Sequence, residues 1–311
     1  MFWKGVGTTD SRLQRFELDG LGKRVGSLFN PTVQISLPSD ILVITDRPEY
    51  PHADRVFPLF SDENLFLAKV ALTLRPRRVL DIGTGSGLLA LLFAKHGATT
   101  IATEISGRAL RLAHFNSRLN NLTHAVDIRQ GNVYGSLCKE KFDLIIANPP
   151  FVALPIGYPF HFAGHGGPDG CSVITEILRG AAEHLAEDGV MLLTSLSLQR
   201  SACTYVSELA QRLLGSSFDI TTRYIYPKEL RLKEFYGVFR GISTSHWFGT
   251  LEHSGFKSIA YVLLLVRHKS RSLRCVMPDS AFAIPLTKLS GSWQGRLKRY
   301  ELWQSKDSLY D

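Results

Sequence analysis

Asn148-Pro149-Pro150-Phe151 is the stretch of this 311-residue sequence with the clearest capacity for chemistry. Two consecutive prolines fix two φ angles and remove two N–H donors, so the carbonyls around them point outward rigidly. The Asn148 side-chain oxygen and the Pro149 carbonyl can then both accept hydrogen bonds from one –NH2 group. An amide or aromatic amine delocalises its nitrogen lone pair and is a poor nucleophile. Two converging acceptors stabilise positive charge developing on that nitrogen as it attacks an electrophile, so they act most strongly in the transition state. No group has to ionise for this, because the proton can leave after the transfer. Phe151 offers a flat face for a planar amide or base. Such a run can also be a plain rigid turn. Its place, directly after the predicted strand Phe142–Ala147, favours catalysis.

A second constellation, Asp81-Ile82-Gly83-Thr84-Gly85-Ser86-Gly87, lies between a predicted strand, Arg78–Ile82, and a predicted helix over 88–96. Glycines there let the backbone turn sharply and bring a ligand close to main-chain N–H groups. A dinucleotide fingerprint would place its last glycine at Leu88, which instead begins the helix. Asp81, near a helix N-terminus, suits the ammonium group of an amino-acid ligand better than a pyrophosphate. Glu104 ends the next strand, where an acid can accept two hydrogen bonds from ribose hydroxyls. Gly131-Asn132 follows the third strand, placed to meet an adenine, with Ile105 and Val133 beside these polar groups. An adenosine carrying an amino-acid tail fits all of these positions, which is S-adenosylmethionine.

These residues need a scaffold, and the chain supplies one. A helical pattern begins at Ser61, an N-cap residue type, with Asp62 and Glu63 in the first turn. Strands over 78–82, 100–104, 126–130, 142–147 and 190–195 alternate with helices over 88–96, 107–120, 171–185 and 202–214, and a strand over 259–266 follows. Such alternation predicts right-handed β-α-β units and a parallel sheet covered on both faces. Residues 1–60 mix β-rich pieces (VQISL, ILVIT) with prolines and read as a small β-containing extension. The aromatic stretch near 226–256 reads as an irregular lid or substrate-facing insertion. Thus 1–60, 61–268 and 269–311 are expected as extension, cofactor-binding domain and basic C-terminal extension.

Composition sets broader bounds. No apolar run reaches membrane-span length, and the N-terminus has no stretch resembling a signal peptide, so a cytoplasmic protein without membrane contact is expected. The four cysteines are scattered and no metal-spaced cluster occurs, so neither disulfides nor a metal is expected. The net charge is +8, of which residues 256–311 supply ten Lys/Arg against four Asp/Glu. That basic region can contact nucleic acid, or simply remain a solvated surface. His161 and His165 read as surface or hydrogen-bonding loop residues rather than general bases. Phe235, Tyr236, Trp247 and Phe248 read as packing of the insertion rather than a substrate cage.

Asp-Ile-Gly-Thr-Gly-Ser-Gly with a downstream Asn-Pro-Pro-Phe resembles the class I amino- and amide-methyltransferases, over about residues 57–196. More narrowly it resembles the release-factor glutamine methyltransferases (the HemK group) and their "small domain" relatives that modify ribosomal RNA guanines. Gly166-Gly167-Pro168-Asp169-Gly170 is similar to the glycine-rich segment after the catalytic tetrapeptide in the glutamine-modifying group. Residues 56–63 are similar to the segment leading into the first core helix, which implies that Phe60 and Ser61 line the methionine end of the pocket. The resemblance implies a Rossmann-like fold with a mostly parallel seven-stranded sheet, S-adenosylmethionine as cofactor, and methylation of a protein glutamine or comparable amide. An RNA or DNA exocyclic amine, a biosynthetic small molecule, and a non-catalytic cofactor-binding scaffold are the alternatives. The helical N-terminal domain of the release-factor enzymes is not recognisable in residues 1–56, and Asn132 stands where these families often carry an acid.

Overall fold

The computed structural model describes residues 6–7, 21–25, 28–47, 54–57, 62–200, 203–226 and 229–269. Near the N-terminus, β1 (Val6–Gly7), β2 (Gly22–Val25) and β3 (Leu28–Pro31) form a small antiparallel sheet in the order β1-β3-β2. β4 (Val33–Ser36) and β5 (Val43–Asp46) form a separate antiparallel pair. The described residues of the proline-punctuated extension therefore form short strands, with one 3-10 turn at Pro38–Asp40.

From α1 (Asp62–Leu72) onward the chain alternates: β6 (Arg78–Ile82), α2 (Leu88–Lys95), β7 (Thr99–Glu104), α3 (Gly107–Leu119), β8 (Val126–Gln130) and β9 (Phe142–Ala147). There follow α4 (Ser172–His184), β10 (Leu185–Gln199), α5 (Tyr205–Leu214), β11 (Phe218–Tyr224), β12 (Leu230–Arg231), α6 (Leu232–Tyr236), α7 (His246–His253) and β13 (Ser258–His268). The sheet runs β11-β13-β10-β9-β6-β7-β8, with β12 beside β13. The strands from β10 to β8 are parallel, and β13 is antiparallel to β10, β11 and β12. Eight strands stand where seven were expected; the additional one is the two-residue β12, which caps the start of β13.

Side chains alternate across the sheet with the period of two that a strand imposes. Leu144 and Ile146 face one core with α1, α2 and the 232–256 region, while Ile145 and Ala147 face the other with α4 and α5. The 226–256 insertion, expected to be irregular, holds two short helices. Phe235, Tyr236 and Phe248 are buried in the first core, as packing residues. β10 is longer than the predicted 190–195 because it pairs with β13 from Val190 through Gln199 and stays buried along that length. None of the described helices is long and apolar enough to cross a membrane.

Candidate active site

Chain order and sheet order together locate the site. From β6 the chain moves outward through β7 to β8, then crosses back to β9 and β10 on the other side of β6. The strand order reverses between β6 and β9, and ligands of open α/β sheets bind in the crevice beyond the carboxyl ends of strands at such a reversal. The ends are level, since Ile82 pairs with both Thr103 and Ala147. Adjacent strands lie about 4.8 Å apart. Asn148, the Gly83–Gly87 loop, Glu104 and Gly131–Val133 therefore follow one another along one sheet edge, each from a neighbouring strand.

The glycine loop is fixed from several sides. Gly83 and Thr84 donate backbone N–H bonds to the Thr103 carbonyl at 2.8 and 3.1 Å, and Gly87 N–H to Thr84 O at 3.0 Å. Gly83, Gly85 and Gly87 have φ of +67°, +59° and +85°, the left-handed region that favours glycine. A Cβ at Gly83 or Gly85 would meet nothing within 4 Å, so this backbone borders open space into which a ligand can come close. Thr84 turns inward, its hydroxyl donating to Asp81 Oδ2 at 2.6 Å. The Ser86 hydroxyl is buried without a hydrogen-bond partner among the described residues.

Asp81 is 2% exposed, and its Oδ2 also accepts the Ala90 N–H at 3.1 Å. It thus staples the loop to the start of α2 besides offering charge to a ligand. Burial raises its pKa from 3.8 to about 6, opposed by the bonds from Thr84 and Ala90. Because the folded-state value lies above the free one, ionising Asp81 costs stability. That cost is absent below pH 4 and fully present above about 6. A ligand ammonium group favours the ionised form, so its affinity is expected to rise with pH up to about 6 and level off above. Titration calorimetry with S-adenosylmethionine between pH 5 and 8 checks this, and an Asp81→Asn variant should lose the dependence.

Glu104 is buried, with Oε2 accepting Gly85 N–H at 2.9 Å and Oε1 accepting Ser106 N–H at 2.8 Å. A carboxylate offers about four lone-pair directions, so each oxygen retains one for a ribose hydroxyl. Ile105 beside it is 48% exposed, an apolar surface suited to an adenine face. Past β8, Gly131 N–H bonds to Glu104 O at 3.0 Å, and Val133 has φ +51°. A β-branched residue in that region is strained by about 1–3 kcal/mol, a cost that concentrates at ligand-binding turns. Asn132 is exposed at the same corner. Phe60 and Ser61 lie outside the described residues.

Asn148 is held at both ends. Its Oδ1 accepts the Thr194 hydroxyl at 2.6 Å, and its Nδ2 donates to Asn64 Oδ1 at 2.9 Å. Asn64 sits in the first turn of α1, and Thr194 on β10 beside the end of β9. The spacing of motifs revealed neither residue. The carboxamide oxygen keeps a lone pair for an acceptor substrate, and among the described residues no hydrogen bond reaches the Pro149 carbonyl. Phe151 is half-buried, edge-on to Tyr261 at 5.3 Å.

The glycine-rich segment after the tetrapeptide braces Phe151. A Cβ on Gly166 would stand 2.8 Å from the Phe151 Cα, and one on Gly170 2.6 Å from the Phe151 carbonyl oxygen. Gly166 N–H bonds to Val152 O at 2.8 Å and Leu154 N–H to Gly167 O at 2.9 Å. His165 belongs to this brace, with Nδ1 accepting from Gly167 N–H at 3.2 Å and Nε2 within 3.3 Å of Pro155 O. His161 packs against Phe57 and Phe160, and burial holds its pKa well below 6.5. The insertion clasps the same segment, Tyr236 donating to Ala153 O at 2.8 Å and Trp247 to Pro168 O at 3.2 Å.

Residues 62–211 match the family model described as the methyltransferase small domain. The chain is 42% identical over 125 residues to a ribosomal protein uL3 glutamine methyltransferase of Bradyrhizobium diazoefficiens, covering 37% of this chain and 39% of that one. It is 37% identical over 127 residues to a release factor glutamine methyltransferase of Xylella fastidiosa, covering 38% and 46%. The matched stretch thus spans less than half the length of these relatives. Among solved structures, the T. thermophilus 16S rRNA N2 G1207 methyltransferase in complex with AdoMet and guanosine aligns with a TM-score of 0.46 and 17% identity, covering 83% of this chain and 62% of that one.

Proposed function

We propose, taking residues 62–211 as a methyltransferase small domain, that this chain transfers a methyl group from S-adenosylmethionine to a planar amide nitrogen, that of a protein glutamine side chain. The observation that carries the proposal is Asn148, fixed by Asn64 and Thr194 at the reversal point of the sheet, one strand from the glycine loop. The glutamine methyltransferases among the relatives support the choice of substrate.

S-adenosylmethionine supplies an electrophilic methyl group on a positively charged sulfur. Glu104 would hold the ribose, Ile105, Asn132 and Val133 the adenine, and the glycine loop with Asp81 the methionine end. Phe60 and Ser61 are proposed to complete that end. Asn148 Oδ1 and the Pro149 carbonyl would each accept one N–H of the substrate carboxamide, turning its plane so that the nitrogen faces the methyl group. As nitrogen becomes positive its N–H bonds strengthen toward these oxygens, so both stabilise the transition state more than the bound substrate. Pro150 and Phe151 keep the two oxygens in place. The spare proton leaves to water after transfer, so no general base is required. A cytosolic setting accords with the free thiols of Cys138, Cys171 and Cys203.

Incubation of the protein and an Asn148→Ala variant with radiolabelled S-adenosylmethionine and a cell extract separates the readings. Label in the protein fraction, recovered as N5-methylglutamine and absent with the variant, is expected. Label in RNA, released as a methylated base, would instead make an exocyclic amine the substrate, in keeping with the net charge of +8. Label confined to small molecules would indicate a biosynthetic enzyme.

A further inference from the structure

Asn116 in α3 and Asn120 at its C-terminal cap lie four residues apart, and each binds the backbone of the N-terminal extension. Asn120 Oδ1 accepts Leu42 N–H at 2.9 Å, and its Nδ2 donates to Leu42 O at 2.7 Å. One turn earlier, Asn116 Oδ1 accepts Ile44 N–H at 2.8 Å, and its Nδ2 donates to Ile44 O at 3.0 Å. The two side chains thus act as a strand edge for β5 and the residue before it, while β5 pairs with β4 on its other side. Asn116 does one thing more. The same Nδ2 donates to the Ser86 carbonyl, inside the glycine loop, at 2.8 Å. Asn116 is 0% exposed and spends three of its four hydrogen-bonding capacities on these contacts.

The loop is also seated on α3 by packing. A Cβ at Gly87 would come within 3.3 Å of Ala113, one turn before Asn116. Around the junction, Ile44, Val56, Ala109 and Leu112 form a small apolar cluster. Arg108, in the first turn of α3, forms an ion pair with Asp46 at the end of β5. Asp46 also accepts the Val56 N–H at 2.7 Å. One buried carboxamide therefore joins the extension to the loop that faces the cofactor.

We propose that Asn116 is a positioning residue for S-adenosylmethionine, and that docking of β5 and binding of the cofactor stabilise each other through it. This rests on the cofactor reading of the glycine loop given above. The physical route is short. With Asn116 in place, the Ser86 peptide has a fixed orientation and the flanking loop amides face the ligand at no further ordering cost. Without it, the Ser86 carbonyl and both Ile44 backbone groups are buried without partners, and the loop must reorganise to satisfy them. Linkage makes the coupling reciprocal, so a ligand that orders the loop must also tighten the grip on Ile44.

The test uses the full chain and S-adenosylhomocysteine as probe. Calorimetry is expected to show Asn116→Ala binding at least about tenfold more weakly, while Asn120→Ala stays within about threefold, because Asn120 has no contact with Ser86. In the unsubstituted protein, the probe should slow the local-opening exchange of the Ile44 amide, read where the β13 amides still exchange far more slowly, so that stabilisation of the whole fold does not account for it. If Asn116→Ala binds as well as the parent and Ile44 exchange is unmoved, the inference falls while the cofactor reading stands. If the parent itself binds no probe, the cofactor reading falls and takes the inference with it. Should Asn116→Ala fail to fold, the exchange of Ile44 in the parent decides alone.

Discussion

Replacement of Asn148 by alanine is expected to lower the rate of methyl transfer by about 10²- to 10³-fold, the cost of removing one preorganised acceptor aimed at developing charge. Cofactor affinity should change little, because Glu104 and the glycine loop are untouched. The substrate nitrogen is neutral before transfer and positive during it, so the lost bond is one that strengthens in the transition state, and the loss should appear in kcat more than in KM. Thr194 gives the companion result. Its hydroxyl, buried on β10 beside the end of β9, donates to Asn148 Oδ1 at 2.6 Å. Thr194→Val keeps the shape and removes that bond, worth about 1 kcal/mol or a fivefold to tenfold fall in rate. Thr194→Ser should retain most activity, and Thr194→Val should add nothing in an Asn148→Ala background. Single-turnover transfer from labelled S-adenosylmethionine measures all of these. Additive losses would mean that Thr194 acts only through the stability of β10.

The second large effect is expected at Glu104. In Glu104→Ala the cofactor loses its ribose partner, and the Gly85 and Ser106 N–H groups lose the oxygens that orient them. Hydrogen bonds to charged groups contribute about 1.5–3 kcal/mol each, so losing even two weakens binding at least roughly a hundredfold. Glu104→Gln keeps one carbonyl oxygen but turns an –NH2 toward donors, and should bind between the two. Equilibrium binding of S-adenosylhomocysteine reads both variants. Cofactor affinity within a factor of two of the parent in Glu104→Ala would remove Glu104 from the site.

The sequence made the sheet edge legible because its signals there are local. Apolar strands end in residues that a core strand does not tolerate, at Gly83, Glu104, Gly131 and Asn148, and each marks the top of a parallel strand. Asn64 and Thr194 were harder, since they lie 84 and 46 residues from Asn148 and meet it only in the folded chain. For Thr194 a signal existed. It alternates with Leu192 and Leu196, so it faces the same core, and a hydroxyl at such a position needs a partner. Asn116 carried a similar signal, one turn beyond Leu112 and Ala113 on the buried side of α3. Asn64 carried none.

The insertion near 226–256 was unreadable for a different reason. Its helices have five and eight residues, too short for a periodic apolar pattern to emerge. Their aromatic residues pack against one another and against the loop after Phe151, and such contacts leave no regular spacing. The Asp81 carboxylate shows a different gap between pattern and fold. Its position pointed to a ligand, but its burial and its bonds to Thr84 and Ala90 give it a structural duty as well.

A crystal structure of the full chain with S-adenosylhomocysteine decides whether the glycine loop, Glu104 and the Asn148 tetrapeptide form one site. The expected density shows ribose hydroxyls on Glu104, adenine against Ile105 and Val133, and the sulfur turned toward Asn148 across the gap between β6 and β9. A ligand bound elsewhere, or one whose sulfur points away from Asn148, would contradict it.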